Sequence, residues 1–505
     1  MARAIMIQGT MSDAGKSLIT TALLRIFKQD GYRCAPFKSQ NMALNSFITK
    51  EGLEIGRAQA MQAEAAGAEP SVNMNPILLK PVTDTKSQVI VNGEVLKDLE
   101  GVHYFSQKRN LLPYIQKAYQ ELDKQYDIIV IEGAGSPVEL NLRKADFVNM
   151  GMAKIARAPV LLVGDIDRGG VFAQLLGTLS LLEKDELAMV KGMIVNKFRG
   201  DRGLFDEGVK ILEERGKKPV VGVVPYVYCD IDEEDSFFGK QGKQEEAVID
   251  IAVISFQRIS NFTDFNVFSQ YEGVCVRYVF RVEQLKNPDF ILLPGTKNTI
   301  SDLKWLRECG MEAALKKCVS KGIPLFGVCG GYQMLGQRIT DPEHAEAGGE
   351  IRGMGLLETE TVFRTEKTRT RITGKVNSVD GFFSCLSGAE FEGYEIHMGE
   401  TCICSEEHEN HICGEKKTAF ATLSDGRKDG AYRGNVYGTY VHGFFDARDV
   451  AERIVRTLYE AKGLVYQETG IDRGVFKETQ YDLLASAVRE HVDMELIYRI
   501  LEEGV

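Results

Sequence analysis

The chain of 505 residues lacks a basic excess: Lys and Arg total 61 against 72 Asp and Glu, a formal net charge of −11. That argues against a general role on nucleic acid or on an anionic membrane, where a basic face is expected. An anionic small substrate stays open, because a few local Lys and Arg can line one pocket. No apolar run reaches the ~18 residues that a membrane span needs. No charged-then-apolar signal segment precedes the strand-like run Ala4-Ile5-Met6-Ile7. Ten cysteines occur, but scattered in apolar or helical contexts rather than as a disulfide framework, which suits a reducing cytoplasm. Internal repeats and low-complexity tracts are also missing. What is present is an ordinary globular composition, 44% apolar and 26% charged, in a chain longer than one hydrophobic core serves. Two or three domains are therefore expected.

Residues 1–225 read as repeated strand–helix units. Strands are predicted at 4–8, 33–37, 127–131, 159–164, 190–195 and 219–224. Several are short β-branched runs without alternation, as in strands buried on both faces. Amphipathic helices are predicted at 16–30, 57–67, 108–124, 169–183 and 204–215. Such alternation implies an α/β domain built on a mostly parallel sheet. Residues 226–247 are polar and aperiodic and read as a linker. A second α/β series fills 248–505, with strands near 249–255, 274–280, 289–293 and 323–328 and helices at 299–320 and 330–338. A β-rich stretch follows at 352–440, and helices near 448–462 and 481–502 are expected to close this second domain.

The first strand runs into Gly9-Thr10-Met-Ser-Asp13-Ala-Gly15-Lys16-Ser17, and a helix follows at once. Glycines let backbone N–H groups converge on phosphate oxygens, the helix N-terminus adds its positive end, Lys16 neutralises phosphate charge and Ser17 suits Mg²⁺. The loop carries one residue more between Gly9 and Gly15 than the standard pattern. Three further strands end in polar segments, where open α/β sheets bind ligands. These are Phe37-Lys38-Ser-Gln40-Asn41-Met42, Glu132-Gly-Ala-Gly-Ser136 and Asp165-Ile-Asp-Arg168-Gly-Gly170. Asp146 is a further candidate, and Arg143 and Lys144 are candidate cations for an anionic substrate.

In the second half, the strand Ile323-Pro-Leu-Phe-Gly-Val328 runs into Cys329-Gly330-Gly331-Tyr332-Gln333 and a helix. This is a nucleophile elbow with Cys in place of Ser. The helix N-terminus favours a thiolate. The Gly330 N–H is one oxyanion donor, and the backbone of Leu293-Pro-Gly295-Thr-Lys297 supplies the second. Of seven histidines, His442 in Gly438-Thr-Tyr-Val-His442-Gly443 lies just past a strand and is the expected base. His397 has a structural or glutamine-side role in this reading. Cys402, Cys404, His408, His411 and Cys413 contain soft zinc ligands, but their irregular spacing in a hairpin-like setting favours no metal.

The Cys-then-His order on a Rossmann-like sheet resembles class I glutamine amidotransferases. Most of that class place a Glu two residues after the His; here Phe444 stands there, as in the cobyrinate-amidating branch. The phosphate loop, with its Gly-Thr start and extra residue, resembles the dethiobiotin synthetase loop, in whose group a carboxylate attacks the γ-phosphate of ATP. The segments Phe37 to Asn45, Glu132 to Leu142, Asp165 to Gly170, Asn196 to Asp201 and Arg258-Ile-Ser-Asn-Phe-Thr-Asp264 extend the likeness to the cobyrinate-amidating branch over essentially the whole chain. The resemblance implies ATP- and glutamine-dependent amidation of the b, d, e and g carboxylates of adenosylcobyrinic acid a,c-diamide, giving adenosylcobyric acid. It implies Thr10, Asp13, Gly15, Lys16, Ser17 and Asn196 at ATP, with Asn196 reading the adenine edge. Ser17 and Glu132 would hold Mg²⁺. Lys38, Gln40, Asn41, Asp146, Asp165 and Arg168 would meet the corrinoid, Cys329 and His442 would release ammonia, and Gly295 and Gly330 would form the oxyanion hole. The alternatives are formation of the a,c-diamide itself from cobyrinic acid and, from another class, a non-catalytic P-loop switch carrying a dead amidase-like module. Oligomeric state, order of amidation and the group that orients His442 stay open.

Overall fold

A computed structural model describes residues 2–82, 86–100, 108–231, 247–346, 348–404, 419–467 and 472–505. The chain forms two compact units. The first comprises Met1–Thr49, Leu53–Ser236 and Gly474–Val505, the second Lys50–Gly52 and Phe237–Arg473. Most of the expected linker lies outside the described residues.

The first unit is built on six parallel strands in the order Val220–Pro225, Val190–Phe198, Val160–Asp165, Arg3–Gly9, Ile128–Glu132, Cys34–Phe37. Ile128-Ile-Val-Ile-Glu132 is buried at every position, which is why the run is continuous rather than alternating. The helix Lys16–Gln29 packs on this sheet through Ile19, Leu23, Ile26 and Phe27. Between Phe37 and Ile128 the chain adds a feature the sequence reading did not assign, a small sheet of Gln40–Met42, Ile77–Pro81, Lys86–Val91 and Glu94–Glu100.

The closing helices correct the expected domain layout. The stretch 481–502 is two helices, Arg473–His491 and Met494–Glu503, and both belong to the first unit. Tyr481, Leu484, Ala485, Val488 and Ile497 join the core of Ile26, Phe27 and Val221. Polar contacts reinforce the seam, with Arg25 on Glu478 and Asp482 and Arg489 on Asp30. The apolar residues of these helices share one core with the helix Lys16–Gln29 and the sheet beside it, a long-range match that helical periodicity does not reveal.

The second unit carries a parallel sheet in the order Val274–Val279, Ile249–Ile254, Phe290–Leu293, Leu325–Val328, Val436–Thr439, edged by antiparallel Ala431–Arg433. A second sheet pairs the long strands Thr359–Val376 and Glu390–Ile403. The expected helix 299–320 is two, Thr299–Glu308 and Met311–Ser320, broken where Gly310 takes φ 79°. Among the described residues no helix is long and apolar enough to cross a membrane.

Candidate active sites

In the first unit, the strand Arg3–Gly9 hands the chain to the helix at Lys16 through a loop in which Asp13 (φ 58°) and Gly15 (φ 92°) are left-handed. A Cβ on Gly9 would lie 3.0 Å from the Lys16 side chain, and one on Gly15 would lie 2.0 Å from Asn196 Nδ2. Gly15, left-handed and closely approached, thus needs glycine, and a side chain at Gly9 would crowd Lys16. The Lys16 ammonium crosses the loop to donate to the carbonyls of Met11 (3.0 Å) and Gly135 (3.3 Å). Glu132, at the end of its strand and 1% exposed, gathers three elements. Its Oε1 accepts from Ser17 Oγ (2.9 Å) and Lys38 Nζ (3.0 Å), and its Oε2 from Gln62 Nε2 (2.6 Å). Burial alone would raise the Glu132 pKa; Lys38, Gln62 and Lys16 outweigh it and hold the carboxyl below its ordinary value. Ser17 and Glu132 present two hard oxygens side by side, a donor set that suits Mg²⁺ completed by water and phosphate.

The other predicted residues of this half divide by what they touch. Asn196 Nδ2 donates to the Ala14 carbonyl (3.0 Å) and braces the phosphate loop. Thr10 donates to Gln174 (3.2 Å). Asn41 donates to Gln59 (2.8 Å), and Gln40 is half-buried beside it on the same short strand. Asp165 is fully buried, accepting from the Asp167 N–H and from Lys197 Nζ (3.0 Å), while Arg168 pairs with Asp13 (3.1 Å). Asp146 accepts from the backbone N–H groups of Val148, Asn149 and Gly151, so its oxygens are spent on starting the helix Met150–Ala156. Arg143, expected at a substrate, is tied instead to Glu183 and Glu186. The side chain of Lys144 lies outside the described residues.

In the second unit, Cys329 sits between the strand Leu325–Val328 and the helix Gly330–Leu335 at φ 51°, ψ −109°. A non-glycine residue in that region marks backbone strain, held here by the packing around it. A Cβ on Gly331 would lie 2.0 Å from the Leu293 carbonyl oxygen, and one on Gly330 would lie 2.9 Å from the Thr296 nitrogen. The elbow therefore presses against the strand end that bears Gly295, whose own Cβ would lie 3.2 Å from His442 Cε1. Cys329 Sγ is 3.8 Å from the Ile396 carbonyl. His442, 1% exposed, interacts with the thiol, and its ring stacks on Tyr394 at 5.4 Å.

The sequence reading left the orientation of His442 without a cause. In the structure, Nδ1 lies 2.7 Å from Asp264 Oδ2, and Asp264 Oδ1 accepts from the Gly443 N–H (3.2 Å). Burial lowers the imidazole pKa, but the Asp264 carboxylate and Cys329 more than reverse it and raise the group to about 10. Phe444 is fully buried and packs on Phe326, Phe391 and Phe420. His397 stacks on Tyr440 at 3.8 Å and bonds the Gly399 carbonyl. Cys402 and Cys404 are exposed; His408, His411 and Cys413 lie outside the described residues.

Comparison with known proteins agrees with this division. The family described as CobQ/CobB/MinD/ParA nucleotide binding domain matches residues 5–237, and the CobB/CobQ-like glutamine amidotransferase domain matches residues 250–450. Cobyric acid synthase from Lachnoclostridium phytofermentans is 56% identical over the full length of both chains. The one from Ruminiclostridium cellulolyticum is 55% identical over 100% of this chain and 98% of its own. A solved glutamine amidotransferase covers 42% of this chain and 99% of its own, at 20% identity and a TM-score of 0.30.

Proposed function

Because the chain belongs to the cobyric acid synthase family, a family of glutamine amidotransferases acting in cobalamin biosynthesis, we propose that it amidates the b, d, e and g carboxylates of adenosylcobyrinic acid a,c-diamide. The observation that carries this reading is the pairing, in one chain, of a strained thiol beside a buried imidazole with a phosphate loop where Lys16, Ser17, Lys38 and Glu132 converge.

The chemistry has two halves. Cys329 attacks the side-chain amide of glutamine while His442 moves the proton from sulfur to the leaving nitrogen. Backbone N–H groups at Gly295 and Gly330 hold the oxyanion. Ammonia leaves, a thioester remains, and water returns the thiol and glutamate. In the first unit a corrinoid carboxylate attacks the γ-phosphate of ATP, forming an acyl phosphate and ADP. Ammonia then attacks the acyl carbon and phosphate departs. The activation is needed because a carboxylate is a poor electrophile until one oxygen becomes a leaving group. Lys16 offsets charge on the transferring phosphoryl group, and Lys38 meets the substrate carboxylate or that phosphate. Mg²⁺ at Ser17 and Glu132 supplies further charge neutralisation when bound. Thr10, Asp13 and Gly15 shape the ATP loop, Asn196 braces it at Ala14, and the family likeness gives Asn196 the adenine edge to read. Gln40, Asn41, Asp165 and Arg168 are the remaining candidates for the corrinoid. Asp146 is the weakest of them, since its oxygens already serve backbone N–H groups.

The test supplies ATP, Mg²⁺ and glutamine with adenosylcobyrinic acid a,c-diamide and follows products by mass spectrometry. Four successive amidations are expected. Activity on cobyrinic acid with none on its a,c-diamide would overturn the substrate assignment.

A further inference from the structure

We propose that Asp264 is the third member of the glutamine-hydrolysing site, a positioning residue that replaces the carboxylate class I enzymes carry two residues after the histidine. The inference rests on the reading of Cys329 and His442 as nucleophile and base. Three observations support it. Asp264 Oδ2 lies 2.7 Å from His442 Nδ1, which leaves Nε2 as the nitrogen that faces sulfur. The other oxygen, Oδ1, accepts from the Gly443 N–H at 3.2 Å, so one carboxylate holds both the ring and the backbone behind it. The usual position is closed, because Phe444 is fully buried among Phe326, Phe391 and Phe420 and has no polar reach.

Asp264 is itself held in place. It sits in the 3₁₀ helix Phe262–Gln270, whose preceding residue Asn261 is left-handed (φ 53°) and donates to Tyr394 OH at 3.1 Å. Tyr394 in turn stacks on the His442 ring and pairs with it through the backbone, with N–H to carbonyl bonds of 3.0 and 2.9 Å. The imidazole is thus fixed on its edge by Asp264 and on its face by a tyrosine that the same segment anchors. Chain order becomes Asp264, Cys329, His442, with the carboxylate first instead of last. Its physical task is the one such a carboxylate has elsewhere: it selects the tautomer with the proton on Nδ1 and stabilises the imidazolium formed when sulfur gives up its proton. No proton passes to Asp264 in the cycle.

The experiment uses the full chain and compares wild type with Asp264→Asn, Asp264→Glu and Cys329→Ala. Glutaminase kcat and KM, the pH profile of kcat/KM, thermal unfolding followed by Trp305, and amide synthesis from free ammonia are measured. Asp264→Asn is expected to lower glutaminase kcat by about 10²–10⁴-fold, with KM for glutamine within threefold. The His442 limb of the profile should move to lower pH, and ammonia-driven synthesis should stay at the wild-type rate. Asp264→Glu should recover part of kcat. A glutaminase kcat within threefold of wild type with an unmoved limb overturns the assignment. If Asp264→Asn does not fold, the limb is read in Asp264→Glu, where a displaced limb supports the assignment and a wild-type kcat with an unmoved limb overturns it. Full glutaminase activity in Cys329→Ala would instead remove the underlying reading of the site.

Discussion

Lys38 and Glu132 form a buried ion pair whose one-sided loss should destabilise the first unit. The two charges lie 3.0 Å apart with side chains 6% and 1% exposed. At an effective dielectric of about 20 their attraction is on the order of 5 kcal/mol, much of it offset by the cost of taking both ions out of water. Glu132→Gln removes one charge of the pair and turns an amide N–H₂ or carbonyl toward the buried Lys38 ammonium. Breaking such a pair from one side costs about 3–5 kcal/mol. Lys38→Met should cost less, about 1–3 kcal/mol, because Ser17, Gln62 and Lys16 still serve the carboxylate. The double variant should therefore lose less than the sum of the singles, by about 1–3 kcal/mol. Urea unfolding followed by far-UV circular dichroism reads both units, whereas Trp305, the single tryptophan, lies in the second unit and serves as the internal reference. Its transition and the glutaminase rate should stay at wild-type values. A loss below about 1 kcal/mol for Glu132→Gln, or strict additivity, would refute the reasoning.

Lys16→Ala should abolish amide synthesis, with glutamine or with free ammonia, while leaving measurable glutaminase activity; synthesis from ammonia at the wild-type rate would remove Lys16 from the phosphate. Burial lifts the Asp429 carboxyl to about 6, above its unfolded value near 3.9. The protonated form is therefore the one the fold prefers, and stability present below about pH 4 is lost as pH rises through 6. The loss is about 2–3 kcal/mol. The stability difference between wild type and Asp429→Asn, read at Trp305, should change by that amount between pH 4 and 7, and a constant difference would contradict it. Phe444→Glu should not rebuild the common class I triad: it buries an unpaired charge among three phenylalanines and should destabilise the second unit by several kcal/mol, checked by thermal unfolding.

Local signals carried most of the fold. The run Ile128 to Ile131 and the strand before Cys329 are readable because a β-branched stretch ending in a polar or small residue has few other uses. The phosphate loop and the elbow were legible for the same reason, since glycines at 15, 330 and 331 answer close approaches that a side chain would block. Two things were not legible. Asp264 lies 178 residues from His442, and an acid in a short turn has no local pattern that names its partner. The quoted segment Arg258 to Asp264 was visible as a likeness only, because its use depends on a tertiary pairing. The helices after Gly474 look like any amphipathic pair, and what decides their partner is the apolar surface that the first unit leaves for them to share, including Ile26, Phe27 and Val221. Asp146 and Arg143 show the converse: charge made them legible as candidates, whereas their contacts with backbone N–H groups and neighbouring acids appear only in the fold.

The return of the chain to its first unit sets an order of events during synthesis. Tyr481, Leu484, Val488 and Ile497 complete the core around Ile26, Phe27 and Val221, yet they leave the ribosome only after the whole of the second unit. At about 5–20 residues per second, Phe237–Arg473 alone takes roughly 10–50 s to make. Through that interval the helix bearing Lys16 and Ser17 has an uncovered apolar face, and at its end the glutaminase unit is whole. A chain that stops short of Tyr481 would therefore carry a finished ammonia source attached to a phosphate site without its outer wall. The phosphate site gains that wall only after the whole second unit has been made.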